Sequence, residues 1–143
     1  MKKYEQALPL LEKLIQKNEN DFNCNVNLAQ IYSEKEFYDL KKAHQYLDKA
    51  LSIAKKDEEL SYVYFIFGKI SFKQSLFLEA EKHFKKSLNY NSKHIYSALL
   101  LAKCYIKLEN ESELKKFLVS YLKKETEYFN IFSDDEELKG YLP

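Results

Sequence analysis

The feature that most restricts the fold of this 143-residue chain is a pattern of small and apolar residues that repeats every 34 positions. Gly68 matches Ala102, and Ala80 matches Leu114. Within each half of the pattern, the apolar residues recur at the spacing of one helix face. The series also occurs upstream, with its halves two residues further apart, at Leu28, Ala29, Tyr32, Ala43, Leu47 and Ala50, and its second half alone occurs at Ala7, Leu11 and Leu14. Such a period predicts stacked pairs of helices.

The segment most easily mistaken for a β-strand is "YFIFGKISF", residues 64–72, which is aromatic and β-branched. It lacks the period-two alternation of a strand, and the chain has only two glycines and two prolines for turns. Pro9 is expected to bend the first helix or to mark its start. We expect an all-α fold with helices near 3–18, 22–35, 40–56, 59–74, 77–89, 94–108 and 111–124, and a short last helix near 134–141 that begins at a capping box of Ser133 and Glu136.

The period and its residue types resemble the tetratricopeptide repeat (TPR) family. The central unit, "YFIFGKISFKQSLFLEAEKHFKKSLNYNS", resembles the family pattern most closely, at Tyr64, Phe67, Gly68, Ala80, Phe84 and Ser87. It departs from that pattern at Ser71, where the family prefers Tyr, and at Ser92, where it prefers Pro. The third unit has Leu114 in place of the alanine of the second helix. The resemblance implies a right-handed superhelix of antiparallel helix pairs.

The resemblance also implies how the single domain is divided. We expect a leading helix at 1–20, repeats at 21–57, 58–92 and 93–125, and a C-terminal cap at 126–143. Phe129, Ile131 and Phe132 are expected to cover the end of the stack, because terminal repeats need a cap. Either the leading helix is itself an N-terminal cap, or earlier repeats have been removed.

Composition argues against several classes of function. The 23 basic residues are all Lys and the net charge is +1, which disfavours specific binding of nucleic acid. Cys24 and Cys104 are expected to be small buried hydrophobes, and the three histidines are scattered. The sequence has no catalytic signature and no motif for a metal or cofactor, and it has no apolar run long enough to span a membrane. We expect a non-enzymatic protein without cofactors, located in the cytoplasm, whether as a whole protein or as a fragment of a larger one.

The resemblance assigns the first helix of each unit to a concave groove. The candidate partner-binding residues there are Asn27, Gln30, Tyr62, Phe65, Ile66, Lys69, Phe72, Lys73, Leu99, Lys103, Ile106 and Lys107. Lys69 and Lys73 recur in step as Lys103 and Lys107, so a basic patch beside apolar residues is expected. Such a surface suits a protein or peptide segment with apolar anchors and some acidic residues. The alternative is that the tail or a neighbouring helix covers the apolar part.

The expected function is therefore that of a scaffold or adaptor for protein–protein interaction. Two alternatives remain: a self-association module that forms a homo-oligomer and, less favoured, a helical-repeat binder of nucleic acid. The best-known TPR ligand mode clamps a C-terminal carboxylate with Lys, Asn and Arg, but the matching residues here are Val26, Gln30, Ile66, Tyr96 and Leu100, none of which is of those types. We therefore expect this protein not to be a receptor of that type.

Gly68 is expected to be a packing residue. Its matched residues are Ala29 and Ala102, so the position requires a small side chain. A residue larger than Ala should clash with the paired helix near Ala80, whereas Gly68→Ala should be nearly neutral.

Overall fold

The computed structural model describes residues 2–143, and none of these residues lies in a β-strand. The prediction of an all-α fold is confirmed. The observed ends of the first seven helices lie within three residues of the predicted ends. The first helix, α1, continues through Pro9 and does not begin at it. The helices are α1 (Lys2–Lys17), α2 (Phe22–Tyr32), α3 (Leu40–Ile53), α4 (Asp57–Lys73), α5 (Phe77–Tyr90), α6 (Ile95–Lys107), α7 (Glu111–Lys124) and α8 (Phe129–Ser133), with short 3₁₀ turns at Lys35–Phe37, Thr126–Tyr128 and Lys139–Tyr141.

Side-chain caps fix where several helices begin. Asp21 accepts a hydrogen bond from the Cys24 backbone N–H at 2.7 Å. Asp39 does the same for Lys42, and Asn110 for Glu113. Each cap satisfies one of the backbone donors that a helix start leaves without a partner. The polar links between the apolar segments therefore set the helix boundaries.

The 34-residue period is visible in the backbone as well. Ser75 and Glu109, which lie 34 positions apart, both adopt the left-handed conformation, with φ of 61° and 54°. In both turns the next backbone N–H reaches back to the helix, from Leu76 to the carbonyl of Ser71 and from Asn110 to that of Tyr105. The ends of α4 and α6 are thus closed by the same motif.

Helices that follow one another in the chain pack against one another. The pairs α2–α3, α4–α5 and α6–α7 are each in contact, α1 packs on α2, and α4 also contacts α6. Two apolar clusters result, one formed by α1 to α4 and one extending from α5 to the C-terminal segment. Phe65 of α4 packs against both clusters, so α4 joins them.

Gly68 packs directly against the ring of Phe84. A Cβ atom at Gly68 would lie 2.5 Å from Phe84 Cε1, and Phe84 is fully buried. The structure thus corrects two expectations: the closest neighbour is Phe84 and not Ala80, and even the methyl group of Ala is too large unless the ring moves. The repeat offers the reason, because the matched pairs in the other units are Ala29 with Leu47 and Ala102 with Leu118. The unit with the larger aromatic residue carries the smaller partner.

A chain of buried hydroxyl groups links α4, α5 and α6. Ser87 Oγ lies 3.0 Å from Ser61 Oγ and 2.7 Å from Ser97 Oγ, and Ser97 Oγ lies 2.9 Å from His94 Nδ1. The three serines are fully buried, so their hydrogen bonds satisfy groups that would otherwise lose water without compensation. The chain fixes the position of α6 relative to the pair before it.

The C-terminal segment differs from its prediction. The helix lies at Phe129–Ser133, residues 134–138 form turns, and Ser133 donates to the Asn130 carbonyl instead of capping a new helix. Phe132 and Leu138 are fully buried in the second cluster, and this burial determines the path of the chain. Phe129 and Ile131 remain exposed, so only Phe132 covers apolar residues as expected.

Candidate partner-binding surface

The first helices of the three units lie side by side and form one surface. We call the first-helix surface the exposed and half-buried residues contributed by α2, α4 and α6 together with Glu34, just after α2, and His94, just before α6. Gln30 Nε2 donates to Tyr62 Oη at 2.7 Å, and Glu34 forms a 2.7 Å ion pair with Lys73. These contacts join α2 to α4. The members are Asn27, Gln30, Glu34, Tyr62, Phe65, Lys69, Phe72, Lys73, His94, Tyr96, Leu99, Lys103, Ile106 and Lys107.

An aromatic cluster joins α4 to the start of α6 on this surface. The ring centre of Phe65 lies 5.9 Å from that of Tyr62, 4.7 Å from that of His94 and 6.4 Å from that of Tyr96. Tyr96 remains 64% exposed, although its ring belongs to the cluster. Aromatic rings with one open face are common in protein–protein contacts. The cluster is thus an apolar contact area that the fold leaves partly exposed, chiefly at Tyr96.

Lys69 lies beside this cluster as a half-buried cation. Its Nζ atom is 5.6 Å from the ring centre of Phe65. Burial lowers the pKa of Lys69, and the positive charge of Lys73 lowers it further, against the opposing effect of Glu34. Glu34 is already paired with Lys73, and within residues 2–143 no carboxylate oxygen lies within 4.0 Å of Lys69 Nζ. Lys69 is therefore a half-buried cation that has no ion-pair partner among residues 2–143.

The other three lysines of the predicted basic patch have different surroundings. Lys73 is neutralised by Glu34. Lys103 Nζ lies 2.9 Å from Asp135 Oδ2 and 3.6 Å from Glu137 Oε1, and its pKa is raised, mainly by the hydrogen bond to Asp135. Lys107 is exposed. The patch is thus broken into separate sites.

The structure separates the remaining candidate residues into three groups. Ile66 is only 1% exposed, so its assignment to a binding surface is corrected: its side chain belongs to the core. Leu99, Ile106 and Phe72 are half-buried against the second cluster, and Phe72 meets Phe77 edge to face at 5.2 Å. Asn27 is exposed and lines a cavity with Gln30.

The reactive polar groups of the described residues are mostly buried. Ser97 and His94 resemble a nucleophile and its base, but Ser97 is fully buried and cannot reach a substrate. Burial raises the pKa of Cys104 to about 12, which leaves it a thiol, and both cysteines are buried and free. Among residues 2–143, no group of three or more His, Cys, Asp or Glu side chains is placed to hold a metal ion.

None of the helices described is both long and apolar enough to cross a bilayer.

No family model matches the chain, and no curated protein matches it. The resemblance to TPR units therefore depends on the residues of the repeat.

The sequence missed two groups on this surface. In the sequence His94 is only one of three scattered histidines, whereas in the structure it caps α6 and packs on Phe65. A signal existed, because His94 immediately precedes an apolar helical segment, where capping residues stand. The acidic tail is predicted to start a helix, whereas in the structure Asp135 and Glu137 form ion pairs with Lys103.

Proposed function

We propose that this protein is a non-catalytic scaffold or adaptor, built as a TPR-type superhelix, that holds a segment of a partner protein on its first-helix surface. The segment carries acidic residues next to apolar anchors. The observation that supports this most is Lys69, a half-buried cation beside an open aromatic cluster and without a carboxylate partner among residues 2–143.

The energetics of Lys69 favour an acidic group in the partner. A half-buried ammonium group loses part of its hydration. The fold provides little electrostatic compensation for this loss, because Glu34 forms its ion pair with Lys73. A carboxylate from a bound segment would restore that loss in a site partly shielded from water, where charge pairing is stronger than at an open surface. The Phe65 and Tyr96 rings would supply the apolar contact area.

The chain itself contains an example of this mode of binding. Lys103 is the repeat equivalent of Lys69, 34 positions later. Its two carboxylate partners, Asp135 and Glu137, belong to a segment that buries Phe132 and Leu138 in the adjacent cluster. An acidic segment with apolar anchors thus already forms ion pairs with Lys103, one of the two equivalent lysines. We infer that the other lysine takes a similar segment from outside.

A selection from a library of displayed random 12-residue peptides tests this proposal. The baits are the wild-type protein, Lys69→Glu and, as a control for charge alone, Lys41→Glu, which changes an exposed lysine of α3. We expect the wild type and Lys41→Glu to select peptides with Asp or Glu near an aromatic residue or Leu. Lys69→Glu should bind them at least tenfold more weakly, a difference of about 1.4 kcal/mol.

Two results would contradict the proposal. One is a selection without a common sequence pattern, and the other is equal affinity of the wild type and Lys69→Glu for the selected peptides. Sedimentation across a concentration series examines self-association separately, because a monomer at all concentrations removes that alternative.

A further inference from the structure

The aromatic cluster of the first-helix surface contains the imidazole ring of His94, and the structure fixes where this ring carries its proton. His94 Nδ1 accepts a hydrogen bond from the backbone N–H of Ser97 at 3.3 Å. A backbone N–H can only donate, so Nδ1 carries no proton. Burial lowers the pKa of His94, which keeps the ring neutral at pH 7. The one proton of the neutral ring is therefore on Nε2, which makes Nε2 a hydrogen-bond donor.

The chain of buried hydroxyl groups holds the ring in this state. Ser97 Oγ lies 2.9 Å from His94 Nδ1, so the Ser97 hydroxyl donates to the ring. The proton of Ser97 is then in use, and Ser87 Oγ, at 2.7 Å, must donate to Ser97. By the same reasoning Ser61 donates to Ser87. Every hydrogen bond of the chain thus has one direction, and its last donor is the Nε2–H group of His94.

The Nε2–H group of His94 has no acceptor within the part of the chain that the structure describes. It is also not one of the buried atoms without a partner, so water reaches it. The ring centre of His94 lies 4.7 Å from that of Phe65 and 6.4 Å from that of Tyr96. A partner segment that covers these two rings also removes water from Nε2. A donor that loses its water without gaining an acceptor weakens binding, so the partner needs an acceptor at this point.

The cap of α6 determines which acceptor fits. A carboxylate beside His94 would favour the charged imidazole, which carries a proton on both nitrogens. The proton on Nδ1 would then face the backbone N–H of Ser97, and α6 would lose its cap. A carbonyl oxygen accepts from Nε2–H without adding a charge, so it leaves the cap intact.

We propose that His94 Nε2–H binds a carbonyl oxygen of the partner segment, from its backbone or from an Asn or Gln side chain. This inference rests on the proposed function and adds an uncharged contact to the charged one at Lys69. Lys69 Nζ and the His94 ring lie 5.6 Å and 4.7 Å from the ring centre of Phe65, which places them within about 10 Å of each other. An extended chain advances about 3.3 Å per residue, so the carbonyl and the acidic residue lie within about three residues of each other.

The test uses the peptides selected on the wild-type protein. Each backbone amide is replaced in turn by an alkene, which has no carbonyl oxygen, and each Asn or Gln is replaced by Leu. We expect one replacement to weaken binding to the wild type about fivefold, the effect of one neutral hydrogen bond. The same replacement should not weaken binding to His94→Asn, because Asn can still cap α6 but is too short to reach the position of Nε2. The position of the sensitive replacement shows whether the carbonyl belongs to the backbone or to a side chain.

Two controls separate this contact from a structural role of His94. His83→Asn changes another half-buried histidine, which packs on Phe67 at 5.3 Å and lies outside the first-helix surface. This variant should respond to the peptide replacements as the wild type does. Nitrogen NMR of the histidine side chains in the free wild-type protein should show the proton of His94 on Nε2, and this measurement does not depend on the folding of any variant.

The outcomes distinguish this inference from the proposed function. Equal affinity of the wild type and Lys69→Glu for the selected peptides would remove both. Affinity that depends on Lys69, together with equal effects of every carbonyl replacement on the wild type and on His94→Asn, would overturn this inference alone. A proton on Nδ1 in the NMR spectrum would overturn it as well, and so would a peptide carboxylate, instead of a carbonyl, whose removal matters only when His94 is present.

Discussion

Packing explains the residue found on one side of α4, at Gly68, but not the residue found on the other side, at Lys69, although the two are neighbours in sequence. On the side facing α5, residue sizes compensate: Gly68 accompanies Phe84, whereas the matched Ala29 accompanies Leu47. On the first-helix surface, Lys69 is a half-buried cation whose pKa is lowered by burial, and the carboxylate that acts on it, Glu34, is already paired with Lys73. Packing accounts for the first side. It does not account for the second.

This difference indicates where to look for function in a repeat protein. Replacing a residue that the fold requires lowers the stability of the protein, and a matched change in the neighbouring residue compensates for the loss. A residue kept for binding often costs stability, so that replacing it is neutral or favourable for folding. The first three predictions below therefore concern stability, and the last measurement compares stability with binding.

The largest effect is expected for Gly68→Leu. Its side chain would have to displace the Phe84 ring, which lies 2.5 Å from the position of the Cβ atom and is enclosed by the core. We expect a loss of about 3 kcal/mol in the free energy of unfolding. Urea denaturation followed by circular dichroism measures it. A loss below about 0.5 kcal/mol would mean that the contact between α4 and α5 is looser than described.

A smaller effect is expected for Gly68→Ala, and it should depend on Phe84. Overpacking lowers the free energy of unfolding by about 1–3 kcal/mol. The higher helix propensity of Ala offsets about 1 kcal/mol of this loss. Ala with Leu is the pair that the other units use, so Gly68→Ala should be at least about 1 kcal/mol less harmful in a Phe84→Leu background. A double-mutant cycle in urea measures this coupling, and additive effects would show that the two residues do not compensate.

The pH dependence of stability is expected to reflect two histidines. Burial lowers the pKa of His83 and of His94, so the unfolded chain binds protons more readily than the folded one once the pH falls below about 6.5. Stability should therefore decrease from pH 7.5 to pH 5.5. Protonation of His94 at Nδ1 would also remove the acceptor that caps α6. His83→Phe combined with His94→Asn, which keeps a capping side chain, should reduce the decrease. An unchanged slope would contradict this assignment.

The sequence predicted the helices and their pairing because these depend on local periodicity, which is complete within each unit. For the same reason it predicted that position 68 requires a small residue. It did not predict that the ring of Phe84 packs against Gly68, since a contact between helices depends on side-chain direction. The pairing of Lys103 with Asp135 depends on the path of a tail that leaves the period. The burial of Ile66 was missed because α4 is apolar on more than one face.

The most direct test of the account measures stability and binding on one variant, Lys69→Met, which keeps an unbranched side chain and removes the charge. The free energy of unfolding should be unchanged or higher by less than about 0.5 kcal/mol. The affinity for acidic peptides selected on the wild type should fall at least tenfold. A loss of stability together with unchanged binding would contradict the account, because it would make Lys69 a structural residue and leave the first-helix surface without a function.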